Sequence, residues 1–208
     1  MGRNRRLGVY RNNMEPLFCK KDYRIICQLL RPELEKLERE KDYYQKLVEF
    51  LIVGEDHRYY SHIGFDVLGI CRAIFRDLFQ GKREGASTIE QQLVRVLTED
   101  YRYSIKRKLK EIYLATKLKR LADKYTLAVA YLDMANYGTD LSGLTSVLNR
   151  FGVSLQQEID DSVCAEVVAR LKYPEPRHYN ENRIAQIERR AKYILWLHQQ
   201  YKKKNECR

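Results

Sequence analysis

The chain has little that bends or breaks a backbone: ten glycines and four prolines in 208 residues. No repeat or low-complexity linker interrupts it and strand-like alternation is weak, so a mainly α body is expected. Long hydrophobic runs are missing too. Nowhere do about 18 apolar residues follow one another, as a membrane-spanning helix needs. The opening MGRNRRLGVYRNNMEPLFCK is basic but lacks the apolar stretch of a signal peptide. On its own residues the chain reads as soluble or peripheral to a membrane. The five cysteines, Cys19, Cys27, Cys71, Cys164 and Cys207, are odd in number and scattered, with no spacing suited to zinc or to a redox pair. Free thiols in apolar helical settings behave as small hydrophobes, which favours a reducing compartment over a disulfide framework. Acidic residues are in deficit: 28 Asp and Glu against 39 Lys and Arg leave a net charge of +11. That excess favours an anionic partner, whether nucleic acid, an anionic membrane surface or a phosphorylated ligand. Basic residues are interleaved with acidic ones and no nucleic-acid motif is present, so nucleic acid ranks last.

What is present is a chain of the right size for one domain with a real core. Residues 1–20 are expected to form a basic, poorly ordered arm, residues 21–200 the body, and residues 201–208 a frayed basic tail. Apolar residues three and four apart predict helices over Lys21–Leu30, Pro32–Val53, Val67–Phe79, Thr88–Leu97, Ser104–Leu121, Lys124–Ala135, Asp161–Leu171 and Asn182–Gln200. Breakers and charges make Gly81–Ser87 a loop, and Ser87 or Thr88 is a natural N-cap for the helix that follows.

Chemistry concentrates in EDHRYYSHIGFD, Glu55 to Asp66, which sets two adjacent carboxylates and two histidines at the end of an apolar helix. Gly54 is expected to break that helix just ahead of Glu55. His57 and His62 are five apart, with no HExxH pattern or cysteine partner, so a zinc site is not expected. Asp56 is expected to hold the turn by bonding backbone or a cation. A second candidate element is the helix start at Ser87–Thr88, which follows Lys82 and Arg83 and has Gln91 and Gln92 one turn in. Its free N–H groups suit an anion, although an ordinary capped helix has the same residues. The third is SIKRKLKEIYLATKLKR, in which Arg107 and Lys108 share a face with Glu111 while Ile105, Leu109, Ile112 and Thr116 are expected to face the core. Surface pairing and a pyrophosphate site are both compatible with that pattern.

Taken in order, these motifs resemble the signatures of the peptidoglycan glycosyltransferases, glycosyltransferase family 51. Glu55-Asp56 with Tyr59, His62, Gly64 and Asp66 is similar to the first; GASTIEQQL (Gly85–Leu93) resembles GxSTITQQL; RKLKE (Arg107–Glu111) resembles RKxKE. Lys124, Tyr131, Leu132 and Asn136-Tyr137-Gly138 resemble the fourth signature and its sequel, and Arg150-Phe151-Gly152 the family's YFG. The likeness covers roughly residues 45 to 195.

The resemblance implies a lysozyme-like, mainly α catalytic lobe beside a smaller membrane-facing lobe, and no transpeptidase domain. It implies polymerisation of lipid II into β-1,4 glycan strands with inversion. Glu55 would be the general base, and Arg107, Lys108 and Lys110 would contact the donor pyrophosphate. Glu111 would orient them or help bind a metal. Asp56, Arg58, Ser87, Thr88, Gln91, Gln92 and Arg95 would complete the substrate site. It admits a divalent cation, Mg or Mn, implies no organic cofactor, and suggests other cell-wall synthesis proteins as partners. It places the protein at the outer face of the cytoplasmic membrane, while the residues themselves leave a cytoplasmic location open. Val67–Phe79, with Arg72 and Arg76, suits either a peripheral membrane contact or a core helix. Departures from the family pattern are Glu90 for Thr, Arg95 for Lys, Val96 for Asn, Val129 for Glu and Asp133 for Asn. They motivate an alternative, a non-catalytic relative that binds lipid-linked precursor or a cell-wall partner.

Overall fold

The structure, a computed structural model, describes residues 17–80, 85 and 87–206. Among them the chain forms nine α-helices: α1 (Leu17–Leu37), α2 (Gln45–Glu55), α3 (Val67–Gln80), α4 (Ile89–Thr98), α5 (Ile105–Leu118), α6 (Lys124–Met134), α7 (Leu144–Arg150), α8 (Asp161–Lys172) and α9 (Glu181–Glu206). Two short 3-10 turns, Lys41–Tyr44 and Tyr59–Ser61, join them. Extended pairing among the described residues is confined to two isolated bridges, Asn136 with Ser142 and Gly138 with Glu175. The fold is the mainly α one expected.

Helix α6 is the centre of the body. Thr126 to Leu132 are all buried, so this helix is covered on every side. Helix α4 packs against α6 and α5, α1 lies across α4 and α6, and α2 packs against α8 and α9, which also pack on each other. Val129, one of the departures, sits fully inside this core.

Three helix boundaries differ from expectation. Helix α1 runs straight through Pro32, because Cys19, Ile26, Leu30 and Leu37 form one buried stripe that spans it. Proline removes one helical hydrogen bond, and continuous burial on both sides outweighs that loss. The chain then turns at 38–44, within the span expected to be one helix. The charged run Glu38 to Asp42 is equally compatible with a helix surface, so no breaker announced the turn. Tyr44 closes it, its buried hydroxyl donating to Asp133 on α6 at 3.0 Å. Finally, α9 extends to Glu206, so residues 201–206 of the tail are helical rather than frayed. Lysines are good helix formers and complement the negative end of the helix dipole. Residues 17–20 of the basic arm likewise belong to α1; the rest of the arm and most of the Gly81–Ser87 loop, with Lys82 and Arg83, lie outside the described residues.

Gly54 is not a breaker: α2 continues through it to Glu55. A Cβ at this position would meet Val168 at 3.0 Å and Ile194 at 3.3 Å, so glycine here allows α2 to approach α8 and α9 closely. The carboxylate of Glu55 is therefore carried on the last residue of a rigid helix. The apolar row assigned to the core side of α5 is also placed differently. Ile105 and Leu109 are 82% and 61% exposed, while Glu111 is 2% exposed. Helix α5 turns a carboxylate inward because three cations meet it there.

Candidate active site

Glu55 lies on the wall of a cavity of about 700 Å³ formed by α2, α3, α4, α8 and α9. Among the described lining residues it is the one carboxylate, facing five cations, Arg72, Arg76, Arg95, Lys172 and Arg190. Such a wall attracts an anion, and Glu55 is the carboxylate on it able to accept a proton, with the His57 imidazole lining the same cavity. A smaller cavity of about 370 Å³ shares Gln92, Arg95 and Leu171 with the first and extends the cleft toward Tyr101, Asn136 and Thr139.

The Glu55 carboxylate is held from both sides. Arg190 Nη2 donates to Oε1 at 3.0 Å and also to the Gly54 carbonyl, while Gln92 Nε2 donates to Oε2 at 3.4 Å. Gln92 is itself oriented: its Oε1 accepts the Tyr131 hydroxyl at 2.7 Å, which leaves its NH₂ to face Glu55. Burial raises the Tyr131 pKa well above the usual phenol range, so the hydroxyl stays a donor. Arg190 has no sequence signal. It is 135 residues from Glu55 on a helix whose apolar stripe is Ile187, Ala191 and Ile194, and only the packing of α9 on α2 brings the two together.

Asp56 does not reach the cavity. It is buried, accepts from His62 Nε2 at 3.0 Å and from the Ile89 backbone N–H at 3.2 Å, and so ties the strap after α2 to the first turn of α4. It holds the turn, as its chemistry suggested, and does not border Glu55's space as a substrate contact. Arg58 pairs with Asp66 at 3.2 Å, also away from the cavity. Although burial works against it, the Gly69 N–H and Arg58 hold the Asp66 carboxyl below its ordinary range. Gly64, at φ +105°, lies so close to α5 that a Cβ would meet the Ala115 backbone at 2.8 Å. Its carbonyl accepts from the Thr88 hydroxyl at 2.8 Å and from Gln91 Nε2 at 3.3 Å. Thr88 is the α4 N-cap, accepting from the Gln91 N–H.

The RKLKE segment builds a compact polar cluster against α4. Glu111 accepts from Arg95 Nε at 2.8 Å and Arg107 Nη1 at 3.0 Å, with Lys108 Nζ at 3.4 Å. Lys108 also donates to the Ser87 hydroxyl at 2.8 Å and to Gln91 Oε1. Burial, with Arg95 and Arg107 alongside, holds the Lys108 ammonium pKa below its ordinary value despite Glu111. Ser87 and Arg95 line the main cavity, so this cluster reaches it through them. Lys110 does not join: it pairs with Asp22 at 3.2 Å and Asp100 at 3.1 Å on another face.

The departures now have addresses. Glu90 is buried and paired with Lys124 at 2.6 Å, Asp133 accepts from Tyr44 and Lys36, Val129 is core, and Val96 borders the smaller cavity. Of the five departures, Arg95 alone lines the main cavity.

A family profile described as Transglycosylase matches residues 24–199. The chain belongs to the transglycosylase family. Its similarity to curated proteins follows the same line. It is 35% identical over 136 residues, 63% of this chain and 50% of the relative, to a monofunctional glycosyltransferase of Staphylococcus saprophyticus. A monofunctional glycosyltransferase of Staphylococcus haemolyticus is 37% identical over 107 residues, 51% of this chain and 40% of the relative. The penicillin-binding protein 1A of Rickettsia prowazekii is 29% identical over 153 residues, 72% of this chain and 19% of the relative. This transglycosylase-family chain thus spans half or less of the length of these relatives.

Two carboxylate clusters have donor sets that bear on metal binding. Glu111 is already met by three cations, which disfavours a divalent ion there. Asp56, His62 and Glu90 bring ligand-type atoms within 4.8 Å of one another, but the Lys124 ammonium stands among them. Neither donor set, as built, fits a resident divalent cation. Of the described cysteines, Cys27, Cys71 and Cys164 are free thiols, and burial pushes Cys164 up to about 12.

Proposed function

We propose that this protein is a peptidoglycan glycosyltransferase that joins lipid-linked disaccharide units, lipid II, into β-1,4 glycan strands with inversion. The observation that carries this reading is a helix-borne Glu55, the one carboxylate among the described lining residues of a cavity that also carries five cations. In the proposed step Glu55 takes the proton of the acceptor sugar 4-hydroxyl. The freed oxygen attacks the donor anomeric carbon, and the bond to the lipid pyrophosphate breaks with its electron pair on the phosphate. A single displacement with one base inverts the centre. Negative charge grows on the departing pyrophosphate, and Arg95, Ser87 and the Lys108–Arg107 cluster behind them supply the preorganised positive field that stabilises it.

Helix α3 supports attachment to a membrane surface. Val67, Leu68, Phe75, Leu78 and Phe79 are exposed, so α3 is not a core helix, and Arg72 and Arg76 of the same helix line the cavity. No helix among the described residues is long and apolar enough to cross a membrane. An amphipathic helix of this kind would rest in the interface, delivering a lipid-linked substrate to the cleft beside it.

The test is turnover of lipid II in detergent by the purified chain, with product strands resolved by size. Glu55→Gln is expected to lose about 10²–10⁴-fold in kcat, the usual contribution of a general base, with binding retained. Strand synthesis undiminished in Glu55→Gln, or binding without turnover in the unaltered chain, would sink the reading; the latter outcome would favour the non-catalytic relative.

A further inference from the structure

Beneath the cavity lies a buried polar joint that the proposed reaction does not use. Glu90, on the first turn of α4, is 2% exposed, and its Oε2 has no hydrogen-bond partner among the described residues. Oε1 accepts from Lys124 Nζ at 2.6 Å. The same ammonium donates to the Tyr59 carbonyl, approaches His62 Nδ1 at 3.4 Å and lies 4.1 Å from the Tyr59 ring centre. Tyr59 returns the contact, its hydroxyl donating to the Lys124 carbonyl at 2.7 Å. His62 is thereby set. The Gly64 N–H and the Lys124 ammonium both point donors at Nδ1, so that nitrogen is the acceptor and the proton sits on Nε2, where it is donated to Asp56. Asp56 follows Glu55 directly and also holds the Ile89 N–H at the start of α4.

We propose that the Glu90–Lys124 ion pair stands in for a bound cation, locking the Asp56–His62 strap to α4 and so positioning Glu55 opposite Gln92. Glu90 and Lys124 are positioning residues, acting through Asp56 and the strap. An ammonium fixed among Glu90, the Tyr59 carbonyl and His62 does what a metal among Asp56, His62 and Glu90 would do, which is to draw α2's end, α4 and α6 onto one point. It needs its own counter-charge. A half-buried lysine left beside one carbonyl and a neutral imidazole would be a poorly compensated charge, and the fully buried Glu90 carboxylate offsets that cost. The carboxylate that departs from the family pattern is therefore tied to the lysine and is turned away from the pyrophosphate side of α4. Because α4 also carries Gln92, the base and the amide that orients it hang on the same joint.

The kinetic arm of the test rests on the reading of Glu55 as the base; the spectroscopic arm does not. In ¹⁵N NMR of the full chain, His62, assigned by its loss in His62→Gln, is expected to show a protonated Nε2 and an unprotonated Nδ1. Glu90→Gln and Lys124→Met should each disturb that signature. With lipid II, each is expected to lower kcat about tenfold while KM stays within twofold. The double variant should be no slower than the slower single, as for residues acting through one contact. Kinetics are compared well below each variant's Tm, so unfolding does not enter. Unaltered kcat and an unaltered His62 signature in Glu90→Gln would overturn the proposal, as would multiplicative losses in the double variant. So would zinc binding by the unaltered chain that disappears in His62→Gln. An inactive unaltered chain with the expected His62 signature would overturn the function proposed for Glu55 and leave the joint standing.

Discussion

Glu55, at the end of α2, and Glu111, on α5, meet opposite environments. Glu111 has its side chain 3% exposed and three cations around it; Glu55 is 12% exposed, with one arginine, one amide and an open cavity. The first is enclosed by its partners and works as the anchor that keeps Arg95, Arg107 and Lys108 together. The second retains a face toward solvent, where a proton can arrive. Two glutamates in signature segments thus differ in what surrounds them rather than in what they are. A carboxylate shared among buried cations organises charge, and a carboxylate at a cavity edge can react.

That contrast can be broken by experiment. The largest separation is expected from Glu111→Gln set beside Glu55→Gln. Removing the buried Glu111 charge leaves three cations facing one another and should cost about 3 kcal/mol of stability, read by chemical denaturation, whereas Glu55→Gln should leave stability nearly unchanged. Equal destabilisation by both would erase the distinction. A smaller effect is expected at Arg190. Truncation to Ala frees one side of Glu55 and should lower kcat about tenfold, with little change in Tm, because the proposed base is no longer held in a productive geometry. Unchanged kcat would assign Arg190 to packing alone. The smallest effect concerns Lys108. Its lowered pKa means that the ammonium is lost on raising pH sooner than for an ordinary lysine at 10.5, so affinity for inorganic pyrophosphate should fall with rising alkaline pH. In that same window the unfolded chain holds more protons than the folded one, so stability should rise with pH as binding falls. Lys108→Arg, which keeps its charge, should flatten both curves in calorimetry.

Much of this arrangement was legible in the residues. The helices from Val67 onward other than the short α7, which was not expected, the Thr88 cap and the grouping of Arg107 and Lys108 with Glu111 all follow from local periodicity and capping chemistry, which act within one or two turns. The site residues divide differently. Ser87, Gln92, Arg95 and Glu55 come together around one cavity, whereas Asp56, Arg58, Thr88 and Gln91 form the frame behind it and Lys110 faces elsewhere. Motif membership does not distinguish a residue that lines a cavity from the one beside it that holds it there. The side of α5 was misjudged for a related reason. Ile105 and Leu109 look like a core row, but the buried demand on that helix is electrostatic, and the cations of α4 and α5 draw Glu111 inward.

By itself, then, the sequence determined the helical class, the order of the signature segments and the family to which the chain belongs, because those are properties of near neighbours and of pattern. Tertiary structure decided which charges meet. Arg190 reaches Glu55 across 135 positions, Lys124 reaches Glu90 across 34, and Asp133 on α6 binds Lys36 of α1 across 97. An ion pair depends on distance and burial, and neither is set until the helices have packed.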